Sequence, residues 1–194
     1  MVGEVSALVR EEEAAAALAR RLRAGDREAM QAAFADHAPA IARTVRALAC
    51  LPGSVDDLVQ EVFIVAFTRI DTYEGRMPLA AWLRGIAVNV VRNQRRRALR
   101  RRALRERFDP APGERPDTPE EVLATRRLGD RLWEAVDRLP DARREAFVLR
   151  VVEQRPLTEC AEILGVSIKA VSRRAVAAER AVRAHVEREE ERCR

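Results

Sequence analysis

Residues 157–174 read LTECAEILGVSIKAVSRR, a pattern that predicts two short helices joined by a tight turn. Ala161 is small enough for two helices to cross closely, and Gly165 can take the positive φ of a sharp turn. Ser167 is suited to cap the second helix, because its side-chain oxygen can accept a hydrogen bond from the first turn. We expect the apolar side chains after the turn to pack inward, namely Val166, Ile168 and Val171.

A helix-turn-helix of this kind binds DNA by placing its second helix in the major groove, with its N-terminal residues at the base edges. The residues expected to face DNA are Ser167, Lys169, Ala170, Ser172, Arg173 and Arg174. Arg173 is a candidate for contact with guanine, and Lys169 for contact with phosphate or guanine. An ordinary helical hairpin with a basic face is the alternative, and the segment alone does not distinguish one class of DNA-binding protein from another.

The rest of the chain also favours helices, since no β-branched alternation bounded by hairpin turns occurs in it. Gly25 can end a first helix, and Asp26 can cap a second that runs to about residue 50. After a break at 51–53, Ser54 can cap a third helix, and a long helix is expected over 79–103. The second helix is expected to place these residues roughly on one face: Ala29, Ala33, Phe34, His37, Ile41 and Val45.

The segment 108–117 contains three prolines and a glycine, so it cannot be the interior of a helix. Thr118 and Pro119 then have the pattern of a helix start. Further helices are expected over about 119–138, 141–152, 158–164 and 168–187. We therefore predict an all-α protein with two helical domains joined by a flexible linker: an N-terminal extension 1–15, a domain 16–106, a linker 107–118 and a domain 119–190.

The charge of the chain points to a polyanionic partner. There are 36 basic and 31 acidic residues, a net charge of +5, and Lys169 is the only lysine. Residues 92–107 hold nine arginines and one glutamate. Arginines that point in all directions from a helix repel one another, and nucleic-acid phosphates relieve that repulsion while releasing counterions.

Other classes of site are not indicated. Cys50, Cys160 and Cys193 are far apart and lack metal-ligand spacing, as in a cytoplasmic protein with reduced thiols. No apolar run approaches the ~18 residues of a membrane span, and no signal-peptide pattern occurs. Neither a Gly-rich phosphate loop nor a nucleophile paired with histidine is evident. We expect a cytoplasmic protein that is not an enzyme and has no metal, cofactor, small-molecule substrate or membrane insertion.

The segment 56–63, DDLVQEVF, resembles the D-L-x-Q-E-V-F helix of bacterial sigma factors. In that family the helix docks on the clamp coiled coil of the largest RNA polymerase subunit. The resemblance implies that Asp56, Asp57, Gln60 and Glu61 bind core RNA polymerase. An acidic and polar face of this kind suits a basic partner helix and repels DNA.

Residues 73–89 resemble the family's F-x-G-x…W-L-x-x-I-A-x-N segment, which binds the non-template strand of the −10 element as it melts. An unstacked base needs a pocket and a polar edge. The resemblance implies these −10 contacts: Tyr73, Arg76, Asn89, Arg92, Asn93 and Arg96. Trp82 is expected in the core, and Val88 stands where many members have arginine.

The segment 139–149 resembles the family's L-P-x-x-x-R-x-x-F-x-L start of region 4, and the helix-turn-helix follows it. Residues 172–175, SRRA, depart from the usual Lys-Ser-Arg-Leu, so the −35 contacts are expected to differ in detail. The resemblance covers about 16–186 without a third domain, which is typical of the extracytoplasmic-function (ECF) subfamily of sigma-70 factors. It implies binding to core RNA polymerase, a duplex −35 element, a single-stranded −10 element and an anti-sigma factor.

Two alternatives stay open at this point. One is a helix-turn-helix transcription regulator that acts without core polymerase. The other is a basic helical protein that binds RNA, which leaves the acidic face at 56–61 unexplained.

Overall fold

A computed structural model describes residues 14, 16–49, 55–108 and 123–192, and these form helices and short connections without a β-strand. The N-terminal half contains α1 (16–23), α2 (Arg27–Ala49), α3 (Val55–Thr68) and α4 (Leu79–Phe108), with a 3₁₀ turn at Ile70–Thr72. The C-terminal half contains α5 (Leu123–Asp137), α6 (Asp141–Phe147), α7 (Leu157–Leu164) and α8 (Ile168–Arg192). Helix α6 continues as a π-helical turn at Val148–Val152. The prediction of two all-helical domains is confirmed.

The junction between α1 and α2 follows the predicted signals. Gly25 has a φ of +73°, and Oδ1 of Asp26 accepts hydrogen bonds from the N–H groups of Glu28 and Ala29 at 3.0 and 3.1 Å. The Arg21 guanidinium donates to the same carboxylate and helps to hold the pKa of Asp26 below its usual value. Helix α4 extends five residues beyond the predicted end at residue 103. The predicted cap Ser54 and the signals at 109–122 lie outside the described residues.

The core of the N-terminal half is built where α2, α3 and α4 pack together. Phe63 on α3 contacts Phe34 edge-on, with ring centroids 4.7 Å apart. Phe34 is nevertheless 42% exposed, so the face of α2 to which it was assigned is only partly covered at this residue. Tyr73 packs on Trp82 at the base of α4, with ring centroids 5.2 Å apart. Trp82 therefore has the packing role expected for it.

Arg144 joins α5 to α6 from inside the C-terminal half. Its buried guanidinium donates to the backbone oxygens of Val136, Asp137 and Leu139 at the end of α5. It also pairs with Asp141 at 2.8 Å. The last carbonyls of a helix have no partner within the helix, so a buried guanidinium that binds several of them fixes where the next helix starts.

The helix-turn-helix forms as predicted, except at one residue. Gly165 has a φ of +62° and ends α7, and the Ser167 hydroxyl accepts a hydrogen bond from Ala170 N–H at 3.2 Å. Val171 is fully buried. Ile168, predicted to pack inward, is 48% exposed, because it is the first residue of α8 and lies before the point where α7 packs against that helix.

The two halves pack against each other, which the prediction of a flexible connection did not anticipate. Helix α4 lies along α7, and α2 contacts the π-helical turn. A Cβ added to Gly85 on α4 would lie 3.4 Å from the backbone oxygen of Ile163 on α7. Buried side chains of both halves, Leu83 and Leu149 among them, belong to one apolar cluster.

Two features are absent from the described residues. None of their helices combines the length and the apolar character that a membrane crossing requires. They also contain no group of three or more His, Cys, Asp or Glu side chains placed to hold a metal ion.

We predict that Arg144→Ala lowers the free energy of unfolding by ~2–4 kcal/mol, because buried carbonyls lose a charged donor. Urea unfolding followed by circular dichroism measures this. The matched control is Arg143→Ala, which removes the same side chain from the exposed neighbouring position and should change stability by no more than ~0.5 kcal/mol. Equal effects of the two substitutions would contradict the role given to Arg144.

Candidate nucleic-acid interface

The outer face of α8 carries the predicted recognition residues. Ser167, Lys169 and Arg173 are exposed, whereas Ala170, Ser172 and Arg174 are partly buried. Ser167 is the cap, and the other five residues predicted for duplex DNA lie along about one turn and a half of helix beyond it. None of the six is enclosed in the core.

A shallow groove continues this face along the helix. It is lined by Lys169, Ser172, Arg173, Val176, Ala177 and Arg180. Lys169, Arg173 and Arg180 are spaced by four and seven residues, so successive turns of α8 present positive charge on the same side. Val176 is exposed between them. Phosphate binding to the cations and apolar contact with a thymine methyl group both suit such a surface.

The second candidate surface lies on α4. Asn89, Asn93 and Arg96 are exposed, and the arginines that follow them at 97, 100 and 101 are exposed too. Residues at positions i and i+4 lie on the same side of a helix, so Asn89 and Asn93 are neighbours there. Their side-chain amides can donate and accept hydrogen bonds next to the basic side chains. This arrangement is suited to a single nucleic-acid strand.

Arg92 belongs to the same predicted set but is already engaged. Its Nε and Nη2 donate to the two carboxylate oxygens of Glu145 on α6, at 2.8 and 2.7 Å. Its Nη1 donates to Oδ1 of Asn89 at 3.3 Å. The hydrogen bonds with Glu145 raise the pKa of Arg92. In this conformation Arg92 joins the two halves of the protein.

Tyr73 and Arg76, predicted in the loop before α4, occupy different environments. The Tyr73 ring is 2% exposed, and its hydroxyl donates to the backbone oxygen of Met77 at 3.0 Å. Burial raises the pKa of this hydroxyl. Arg76 is exposed and pairs with Glu74 at 2.8 Å. A base therefore has access to Arg76, whereas Tyr73 supports the loop from beneath.

The acidic helix α3 presents the residues predicted to bind a protein partner. Asp56, Asp57 and Gln60 are exposed, and Glu61 is partly exposed. Ile64, one turn further on, is 66% exposed. Ile64 therefore adds one exposed apolar side chain next to the acidic face of α3.

Sequence reasoning missed the charged residues buried between the halves. Arg84 and Arg95 on α4 and Glu153 after the π-helical turn are nearly or largely buried, and each pairs across the two halves. The signal was present in part: Arg84 interrupts the apolar face of its helix between Leu83 and Ile86. Its partner is 69 positions away in sequence, however, and no local pattern identifies it.

Each half of the chain matches a protein-family model. The model described as Sigma-70 region 2 matches residues 33–103, and the model described as Sigma-70, region 4 matches residues 129–182. The first match contains α3 and most of α4, and the second contains the helix-turn-helix.

Curated relatives match most of the chain. RNA polymerase sigma factor CnrH of Cupriavidus metallidurans is 30% identical over 84% of this chain and 89% of its own length. RNA polymerase sigma factor NccH of Alcaligenes xylosoxydans xylosoxydans is 31% identical over 81% of this chain and 87% of its own. The ECF RNA polymerase sigma factor SigE of Mycolicibacterium smegmatis is 34% identical over 71% of this chain and 54% of its own.

Two solved structures share the fold. CnrH in complex with the cytosolic domain of CnrY gives a TM-score of 0.64 at 25% identity, covering 89% of this chain and 96% of that one. The sigma factor RpoE in complex with the anti-sigma factor NepR, from Bartonella quintana, gives 0.59 at 20% identity, covering 79% and 94%.

We predict that Lys169→Ala and Arg173→Ala each lower the affinity for mixed-sequence duplex DNA. Each should reduce the slope of log K against log salt by about 1, because one fewer phosphate counterion is released. Fluorescence anisotropy over a salt series measures this slope. Arg188→Ala is the matched control, since Arg188 is exposed on the same helix but lies about 22 Å further along it than Arg173. A control slope that falls as far would contradict the assignment of the face.

Proposed function

Because the chain belongs to the RNA polymerase sigma factors of the ECF type, we propose that it binds core RNA polymerase and directs transcription initiation at specific promoters. One observation supports this most strongly. A single chain carries an exposed acidic face on α3, with Ile64 exposed one turn beyond it, and an exposed basic face on α8. A protein that only binds DNA has no use for the first surface, and a polymerase subunit needs both.

Helix α3 is the proposed site of core polymerase binding. Asp56, Asp57, Gln60 and Glu61 supply charge and hydrogen bonds, and Ile64 adds apolar area. Protein interfaces draw most of their affinity from a few well-buried side chains inside a polar rim. The carboxylates also steer the helix toward a basic partner and away from DNA.

The two basic surfaces are proposed to divide the promoter between them. The α8 face, with Lys169 and Arg173, contacts the −35 element as duplex. The α4 face, with Arg76 on the loop before it and Asn89, Arg92, Asn93 and Arg96 along it, contacts the melted −10 strand. Each contact can be weak, because a shared scaffold makes the second binding event intramolecular.

Regulation by an anti-sigma factor is part of the proposal. CnrH was solved bound to the cytosolic domain of CnrY, and RpoE was solved bound to the anti-sigma factor NepR. A factor of this kind works where core polymerase is, so we propose a cytoplasmic location. We also propose that the protein has no catalytic activity of its own.

The two alternatives from the sequence are less well supported. A regulator that acts without polymerase and a basic RNA-binding protein both account for the cations. Neither accounts for the match to Sigma-70 region 2 over 33–103, which includes the acidic helix. Run-off transcription with core polymerase, using the region upstream of the protein's own gene as the first template, tests the choice. A promoter-specific transcript supports the proposal, and its absence on all candidate promoters contradicts it.

We predict that Asp57→Arg combined with Glu61→Arg lowers the affinity for core polymerase at least tenfold, because the reversed charges repel a basic partner helix. Binding of labelled protein to core polymerase measures the effect.

Glu28→Arg provides the control for charge reversal, since Glu28 is almost fully exposed at the start of α2. Its affinity for core polymerase should stay within about twofold of wild type. Binding of the α3 variant to mixed-sequence duplex DNA should not fall. A variant that loses DNA binding and polymerase binding together would point to misfolding instead.

A further inference from the structure

We propose that Arg76 determines base specificity for the melted −10 strand: its guanidinium reads a guanine or a cytosine, and Glu74 and Tyr73 position it for that contact. This inference rests on the proposed function, because it concerns how the loop before α4 recognises the same strand. It names the class of base that is read and assigns a role to two residues that act through Arg76.

The guanidinium of Arg76 meets a carboxylate at one side only. Its Nε lies 2.8 Å from Oε2 of Glu74, and the Arg76 side chain is 86% exposed. Because Glu74 approaches the Nε side, the opposite edge of the guanidinium, formed by Nη1 and Nη2, is available to a ligand. This edge is a planar pair of donors, which suits two neighbouring acceptors on one partner.

The backbone beneath this ion pair is fixed at several points. The hydroxyl of Tyr73 donates to the backbone oxygen of Met77 at 3.0 Å, which ties the two ends of the loop together. Between them Gly75 has a φ of +76°, in the left-handed region that favours glycine. A Cβ added to Gly75 would lie 4.0 Å from the Cα of Ala16 on α1. The loop therefore presents Arg76 from a defined backbone.

The points that hold the loop are themselves anchored in the core. The Tyr73 ring is 2% exposed and packs on Trp82. On α1, Ala19 and Leu22 are fully buried. Helix α1 precedes residues 33–103, which the Sigma-70 region 2 model matches. The hydroxyl of Tyr73 is likewise absent from the phenylalanine of the F-x-G-x pattern, so both supports are features of this chain.

The spacing of acceptors on a base decides which bases suit such a pair of donors. Guanine has neighbouring acceptors at O6 and N7, and an unpaired cytosine has them at O2 and N3. In adenine an amino donor lies beside N1 and N7, and in thymine the N3–H lies between the two carbonyl oxygens. The Nη1–Nη2 edge can therefore form two hydrogen bonds with guanine or cytosine and one with adenine or thymine.

Glu74 favours a base over the phosphate backbone as the ligand of Arg76. An arginine on its own attracts phosphate irrespective of sequence. A carboxylate beside it repels phosphate and offsets that attraction, whereas the edge of a base is uncharged. The pair is exposed and so contributes little to folding stability. Its position on a loop proposed to contact DNA is explained by recognition.

The test uses full-length protein, alone and bound to core polymerase, with a single-stranded DNA library randomised at its central positions. Bound strands are separated and sequenced, and affinity for the unselected library is measured in parallel. Wild type should enrich guanine or cytosine over adenine and thymine about tenfold at one position. Arg76→Ala should abolish this enrichment, and far-UV circular dichroism checks that each variant is folded.

Two further variants test the positioning roles. Glu74→Gln should lower the enrichment at least threefold while raising affinity for the unselected library about twofold, because a charge that repels phosphate is lost. Loss of structure would lower both quantities. Tyr73→Phe keeps the ring and removes only the hydroxyl, so it should lower the enrichment at least threefold and leave the affinity within about twofold of wild type.

Matched controls make the same chemical changes away from the loop. Glu28→Gln removes an exposed carboxylate that lies 4.0 Å from Arg21. Thr68→Val removes a hydroxyl that donates to the backbone oxygen of Ile64 at 2.7 Å. Both should keep the enrichment of wild type. The proposal is overturned if wild type enriches no base or prefers adenine or thymine, or if Glu74→Gln and Tyr73→Phe behave like these controls.

Run-off transcription with the same proteins separates this inference from the proposed function. If wild type binds no core polymerase and directs no transcription, the sigma-factor proposal fails. The free protein then decides whether base reading by Arg76 stands as a property of a single-strand DNA-binding loop. If wild type directs transcription but the enrichment is absent or survives Arg76→Ala, only the reading by Arg76 fails.

Discussion

A carboxylate taken out of water needs donors on several sides, and Glu153 meets that requirement only where the two halves of the chain touch. Its side chain is 12% exposed. Thr44 on α2 and Arg84 on α4 donate to it from the N-terminal half, and Arg155 lies 3.5 Å away in its own half. Without the N-terminal half, Glu153 would lose the Thr44 and Arg84 donors and keep only Arg155 as a neighbouring cation. The relative position of the halves is therefore tied to one group whose partners come from both.

The apolar cluster that spans the two halves contains several alanines beside larger side chains such as Leu83 and Leu149, and the ion pairs add to this contact. Ala81, Ala87, Ala146 and Ala161 are all buried in the cluster that spans the two halves. Alanine allows helices to approach closely but buries little area, so each contact contributes modestly to stability. Small, similar surfaces also permit sliding of one helix along another. The ion pairs along α4 resist that sliding. If α4 moved along its neighbour, several of its arginines would lose their carboxylate partners at the same time.

Local features of the fold were predictable, because their causes are local. Asp26 caps α2 and Ser167 caps α8. In each case the side-chain oxygen accepts a hydrogen bond from a backbone N–H only two or three residues further along the chain. Gly165 ends α7 because a left-handed residue is required there. Ile168 was misjudged by the same reasoning, since it has the apolar character of a core residue but lies before the helix crossing. The spacing of apolar residues in a sequence predicts which face of a helix is apolar. It does not predict the residue at which a neighbouring helix begins to cover that face.

The site was predictable as sets of residues on single helices and not as contacts between them. Motif resemblance placed Arg92 and Asn89 together on α4, and the structure agrees that they are neighbours. Tyr73 fits the loop motif equally well, but its ring is buried against Trp82. An aromatic side chain can pack in a core or stack on a nucleic-acid base, and the motif alone does not distinguish the two. The pairing of Arg92 with Glu145 joins positions 53 apart and has no counterpart in any local spacing.

Exposed and buried charges in this protein respond differently to salt, and that difference separates the cations of α8 from the ion pairs between the two halves. Lys169 and Arg173 face solvent, so ions screen their attraction for phosphate over a Debye length of ~8 Å at physiological ionic strength. Arg84 and Glu153 are largely shielded from those ions. Raising the salt concentration therefore weakens the attraction of the exposed α8 cations for phosphate more than it weakens the ion pairs between the halves. The packing of the two halves then persists under conditions in which the exposed cations have lost much of that attraction.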